Sequence, residues 1–106
     1  MRSRYTAYSL ANINYIQQTM RGPAAENFVP EEAKQWAEQV TWRGLKIIDP
    51  GKQRKDIEYD EVEFAAQYVA ENFLYILQER SQFKKIDNHW FYITGTLVPH
   101  QPIPIK

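Results

Sequence analysis

The sequence predicts an α+β domain in which helices come first and an antiparallel sheet follows. Three observations carry that expectation. Apolar residues recur at helical spacing through the first forty positions, the period changes at Thr41, and the stretch from His89 to Thr94 is aromatic and β-branched. The chain has 106 residues, the usual size for one domain, and such a chain buries roughly 60–70% of its unfolded surface in a single core.

Tyr5, Tyr8 and Ala11, with Met1 one turn earlier, mark the apolar face of a short first helix. Asn12 then reads as an N-cap, because a short side-chain oxygen there accepts from an unpaired N–H of the first turn. Ile13, Ile16 and Met20 give one face of a second helix, which stops at Gly22-Pro23. A third helix starts at Pro30, where a missing N–H costs nothing and Glu31 and Glu32 complement the positive end of the dipole. It runs to about Gln39 and buries Ala33, Trp36, Ala37 and Val40. Trp42, Leu45, Ile47 and Ile48 form the first strand, ended by the turn signal Asp49-Pro50-Gly51. Lys52 to Lys55 is polar and basic, an exposed loop.

The segment Glu61 to Lys85 fits two readings. Val62, Ala65, Ala66, Val69, Phe73, Ile76 and Leu77 suit a helix of good formers. Equally, Val62, Phe64, Ala66 and Tyr68 alternate on one side, and Phe73, Tyr75, Leu77, Ser81 and Phe83 alternate after a turn at Ala70 to Asn72, which makes a long hairpin. Asp87-Asn88 is a turn into a last strand that reaches Gly95. The domain then spans residues 1–97, and residues 98–106, with three prolines, form an extended or frayed tail.

Thirteen Lys and Arg balance thirteen Asp and Glu, so no long-range field draws the chain to nucleic acid or to an anionic membrane, and any partner is recognised locally. The longest uncharged stretch, Tyr5 to Met20, is too rich in Asn, Gln, Ser and Thr to cross a bilayer. The N-terminus lacks the apolar core of a secretory signal, and a cytoplasmic location is the default. With no cysteine there is neither a disulfide framework nor a thiolate zinc site. His89 and His100 have no companions at ligand spacing, so neither a metal nor a cofactor is expected. No Gly-rich phosphate loop or nucleophile elbow is present.

The order Met-Arg-Ser-Arg-Tyr-Thr-Ala-Tyr (1–8), Asn-Tyr-Ile (14–16), Trp-Arg-Gly-Leu-Lys-Ile (42–47), Phe-Ala-Ala-Gln-Tyr (64–68), Glu-Arg-Ser-Gln-Phe (79–83) and Trp-Phe-Tyr-Ile-Thr-Gly-Thr (90–96) resembles the middle domain of the YchJ-like proteins. The resemblance implies an NTF2-like, SnoaL-type (cystatin-like) cone: three N-terminal helices packed into a curved antiparallel sheet of about four strands, with Glu61 to Lys85 as a hairpin. It also implies relatives that carry flanking SEC-C motifs, short cysteine-rich zinc-binding segments, of which this chain has neither. In those relatives the motif begins in mid-chain, so Met1 is read either as a boundary or as the start of a shortened protein. Where relatives tend to have Trp-His after the second helix this chain has Met20-Arg21, and it has Thr94 where they have Asp before the glycine of the last strand. Both differences remove groups able to do acid-base work.

Aromatic residues make up 14% of the chain, and so many rings must line something. The ordinary reading is the core of the cone, yet several buried tyrosine hydroxyls call for partners and suggest a partly polar interior. The candidate ligand-binding set is Tyr5, Tyr8, Trp36, Phe64, Tyr68, Glu79, Ser81, Trp90 and Tyr92. Glu79 is also the candidate catalytic carboxylate: in register with Leu77 and Phe83 it points inward, loses hydration, and needs Arg4 or the hydroxyls of Tyr5, Tyr68 and Tyr92. On the other sheet face, Val69, Leu74, Ile76, Phe91 and Ile93 form an apolar stripe suited to a homodimer interface. Two functions follow. One is a binding or protein-interaction module that dimerises through its sheet; the other, as the resemblance implies, is a binder of a small hydrophobic ligand or an isomerase or cyclase that uses a carboxylate in the cone.

Overall fold

Four helices precede the sheet in the computed structural model, which describes residues 2–105. They are α1 (Arg2–Ser9), α2 (Ile13–Gln18), α3 (Pro23–Glu26) and α4 (Pro30–Gln39). The strands are β1 (Thr41–Asp49), β2 (Tyr59–Ala70), β3 (Phe73–Ile86), β4 (His89–Val98) and the two-residue β5 (Ile103–Pro104). The α+β class and the curved antiparallel sheet are as expected, with one helix more. α2 ends at Gln18, short of the expected stop at Gly22-Pro23, and Pro23 starts α3, since a ring that cannot continue a helix suits a first helical turn. α1 stops at Ser9, and Ala11, expected on its apolar face, instead turns the chain at a φ of 53°. Met1, expected on that face, lies outside the described residues, as does Lys106 at the end of the tail. Asn12 caps α2, its Oδ1 accepting the Tyr15 N–H at 3.3 Å.

The sheet runs β1-β2-β3-β4 with antiparallel neighbours. Glu61 to Lys85 is a hairpin. Its turn residues Glu71 and Asn72 have φ values of 51° and 69°, both positive as a tight two-residue hairpin turn requires. Asp87 and Asn88 repeat the arrangement between β3 and β4, at 50° and 65°. In β1, Trp42 lies opposite Tyr68 and Leu45 opposite Ala66, with a bulge between Trp42 and Gly44. The extra residue returns Trp42 and Leu45, three apart, to one face of a strand whose period is two.

The concave face carries the pairs Ala66–Leu77, Phe64–Glu79, Ser81–Gly95 and Phe83–Tyr92. Helices cover part of it. Trp36 of α4 meets Trp42 and Tyr68 edge to face, with centroids 5.2 and 5.3 Å apart. Ile16 of α2 is fully buried with Ala7 and Met20. Past α2, the Tyr92 N–H donates to the Thr19 carbonyl at 2.7 Å and the Arg21 N–H to the Tyr92 carbonyl at 3.0 Å, so this segment closes part of the β4 edge.

The convex face is not one apolar stripe. Leu74 pairs with Val69, but Phe91 pairs with Lys84, ten residues further along β3 and about 33 Å away at about 3.3 Å per residue. Between them Arg80 binds Glu61 at 2.6 Å, Glu63 at 3.1 Å and Asp49 at 3.5 Å. Ile93, beside a bulge, turns toward Gly22, where its Cγ2 lies 3.3 Å from the position of a Cβ. Alternation in the sequence gives the face of a residue but not its distance from others on that face.

The proline-rich tail returns to the sheet. β4 ends opposite Gln78, and β5 continues along the same edge of β3, with Ile103 opposite Leu74 and Pro104 opposite Phe73. The Ile105 N–H donates to the Asn72 carbonyl at 2.8 Å, and His100 Nε2 lies 2.7 Å from Gln78 Oε1. An edge is where proline is tolerated, because its missing N–H leaves no ladder bond unmade.

Candidate functional site

Where α1 and α4 meet the concave face, they border a partly open cavity of about 140 Å³. Tyr5, Tyr8, Trp36, Trp42, Phe64 and Tyr92 supply its rings, Ala66 and Leu77 part of its floor, and Arg4 and Glu79 its charges. Each strand residue is there by register, since Phe64, Ala66, Leu77 and Glu79 occupy alternate positions of the paired strands β2 and β3.

Glu79 is half-buried and faces the cavity. Its Oε2 accepts from Ser81 Oγ at 2.5 Å and from Tyr92 Oη at 3.0 Å. None of the described residues donates to Oε1. Ser81 is fully buried, so its hydroxyl serves this bond alone. Gly95 makes the arrangement possible: a Cβ there would collide with the Glu79 carboxyl group and lie 2.7 Å from Tyr92 Oη.

The expected pairing of Glu79 with Arg4 is not formed. Arg4 is buried, but its Nη1 donates to Thr19 Oγ1 at 2.5 Å, to the Ile16 carbonyl at 3.3 Å and to the Thr19 carbonyl at 3.4 Å. Carbonyls at the end of a helix lack intrahelical partners, and those of α2 capture the guanidinium. Its carbon Cζ lies 4.7 Å from the Tyr92 ring centroid, a cation–π contact. Burial pulls Arg4 below its ordinary pKa, opposed by Tyr8, Tyr92 and Glu79, and the group stays charged. Burial raises both Tyr8 and Tyr92, and at Tyr92 the Glu79 charge and hydrogen bond add to it and hold that phenol protonated. Tyr92 is therefore a donor at neutral pH.

Of the other expected partners, Tyr5 packs edge to face on Trp42 at 5.5 Å and Tyr68 stacks on Tyr75 at 5.1 Å. Neither reaches Glu79, because ring packing in the cluster fixes both phenols elsewhere. The structure thus places Tyr5, Tyr8, Trp36, Phe64, Glu79 and Tyr92 around one cavity, with Ser81 beneath Glu79 and Tyr68 behind the rings. Trp90 stands apart, 38% exposed, with Lys85 Nζ 5.2 Å from its ring. The candidate ligand-binding set left out Trp42, although its spacing from Leu45 hints at the bulge that turns it inward. Trp42 Nε1 is buried without a hydrogen-bond partner, and edge-to-face rings surround the indole instead. Thr94 pairs with Gln82, in the register facing away from Glu79. A carboxylate at that position would stand outside the cone.

A second concavity, an open groove of about 910 Å³, lies between α2, the β1–β2 loop and the β3–β4 turn. Asp60 shapes its rim by accepting the N–H groups of Lys52, Gln53 and Glu61 at 3.0, 3.1 and 2.9 Å. Among the described residues, no three His, Cys, Asp or Glu side chains converge as a metal site, and no helix is long and apolar enough to cross a membrane.

Residues 1–95 match the family described as the YchJ middle NTF2-like domain. A UPF0225 protein of Haemophilus influenzae is 39% identical over 97 residues, covering 92% of this chain and 59% of the relative. One from Geobacter sulfurreducens is 36% identical over 103 residues, covering 96% and 63%. The chain therefore spans about three fifths of the length of these curated relatives. Two solved structures share its fold. A SEC-C motif containing protein from Rhodopseudomonas palustris has a TM-score of 0.80 at 28% identity, over 93% of this chain and 76% of that one. Another, from Psychrobacter arcticus, has a TM-score of 0.74 at 28% identity, over 95% and 60%.

Proposed function

The chain belongs to the YchJ middle NTF2-like domain family, and we propose that it acts as a small-molecule-binding module whose ligand sits in the aromatic cavity and donates a hydrogen bond to Glu79. The observation that carries this reading is the half-satisfied carboxylate. Oε2 is held by Ser81 and Tyr92, Glu79 lines the cavity, and Oε1 has no donor among the described residues. A cavity of about 150 Å³ in a protein core holds benzene, so about 140 Å³ suits a single six-membered ring. Six aromatic side chains offer that ring its apolar surroundings, and the carboxylate selects for an N–H or O–H substituent. A homodimer through the whole convex face receives less support, because the ion pairs of Arg80 stand between Ile76 and Phe91.

Phenol and toluene, matched in shape but not in donor, test the proposal by ligand-observed NMR. The wild type should bind phenol more tightly than toluene. Glu79→Gln should weaken phenol by roughly 10–100-fold, the worth of a hydrogen bond to a charged group, and leave toluene unchanged. Equal affinity for the two compounds, or phenol binding that survives the substitution in a variant with native melting behaviour, would refute it.

A further inference from the structure

The open groove is chemically unlike the cavity. On a chain of zero net charge its lining carries Arg4, Arg54, Lys55 and Lys85 against a single carboxylate, Asp60. Asp60 offers little to a ligand, because both its oxygens are turned into backbone N–H groups. Arg54 is neutralised by a two-pronged pair with Asp56, at 3.0 and 2.7 Å. Arg4 is engaged by Thr19 and the Ile16 carbonyl, and the positive charge left over sits on Lys55 and Lys85. Lys85 is held in place: its Nζ donates to the Lys55 carbonyl at 2.8 Å and lies over the Trp90 ring. That bond ties the β1–β2 loop to β3 beside the exposed Trp90, and Lys55 and Lys85 both line the groove.

We propose that this groove binds a small anion built from a planar ring and a phosphate, of the nucleoside monophosphate class, with the ring on Trp90 and the phosphate between Lys55 and Lys85. Its volume lies within the 300–1,000 Å³ range of small-molecule sites. Stacking on an exposed tryptophan tolerates any flat base, and two adjacent lysines match a doubly charged phosphate. The neutral chain lacks the extended basic surface that a nucleic-acid strand needs, which favours a single nucleotide.

The probes are adenosine 5′-monophosphate, adenosine and inorganic phosphate, read by the Trp90 indole N–H resonance, which is assigned by its loss in Trp90→Phe. The monophosphate should move that resonance and outbind both fragments. Lys55→Gln with Lys85→Gln, both at exposed or half-exposed positions, should weaken it by about tenfold or more. Glu79→Gln should leave it unchanged, which separates this site from the cavity. Phosphate alone binding as tightly, binding that survives the double substitution, or an unmoved Trp90 resonance would each overturn the proposal.

Discussion

The Glu79 carboxylate occupies the space that a side chain on Gly95 would need, so the two residues, diagonal neighbours on β3 and β4, fit only because one of them has no Cβ. Gly95→Ala should therefore drive Glu79 and Tyr92 from their hydrogen-bonded positions and destabilise the fold by about 1–3 kcal/mol, the usual cost of overpacking. Removing the Glu79 obstacle should remove part of the cost, the close approach to Tyr92 Oη being left. In a Glu79→Ala background, urea unfolding should show Gly95→Ala as much milder, and strict additivity of the two substitutions would show that they do not collide.

Glu71 carries a positive φ of 51° in the β2–β3 turn, a conformation that Asn tolerates and Glu does not favour. Glu71→Asn should raise stability by up to about 1 kcal/mol. Glu71→Ala, equally ill-suited to that φ, should bring no such gain when the two are compared by thermal unfolding.

Asp60 is the acid-sensitive anchor of the β1–β2 loop. Desolvation raises its pKa, but the three N–H groups of Lys52, Gln53 and Glu61 outweigh that and hold it below the ordinary 3.8. A folded pKa lower than the unfolded one means that its contribution is present above about 3.8 and is lost as pH falls through the folded value. The amides of Lys52 and Gln53 should lose exchange protection together in that window. In Asp60→Asn they should show no such step.

Tyr92 works in the opposite direction. Its folded pKa lies well above the ordinary 10.0, through burial first and then the charge and hydrogen bond of Glu79. Its contribution is therefore complete below pH 10 and declines as pH rises beyond, because the unfolded phenol ionises first. Melting temperatures of the wild type should fall between pH 9 and 11, within about one unit of that ordinary value, and Tyr92→Phe should show a shallower fall. Identical slopes would mean that the phenol is not protected.

How much of this was legible in the sequence depends on the range of the interactions. The N-cap at Asn12, the start of α4 at Pro30, the turn after Asp49 and the turn at Asp87-Asn88 are set by residues within a few positions of one another, and each stands where local chemistry puts it. The hairpin from Glu61 to Lys85 was not, because its apolar residues satisfy both a period of two and a period near 3.6. The resemblance to a family removed that ambiguity where propensity could not.

By itself the sequence determined the fold class, the domain-sized core, the inward register that places Phe64, Leu77 and Glu79 on one face, and the zero net charge that leaves recognition to local sites. Only the tertiary structure decided which side chains meet. Arg4 lies one turn from Tyr8 in the sequence and was the natural partner for Glu79, but the Thr19 hydroxyl and the carbonyls of Ile16 and Thr19 at the C-terminal end of α2 compete for its guanidinium and win because they are closer. The same holds for Leu74 and Phe91, which share a sheet face and yet sit at opposite ends of it. Periodicity reports the direction of a side chain from its own backbone, whereas pairing depends on distances fixed by strand register, bulges and helix ends contributed by distant parts of the chain.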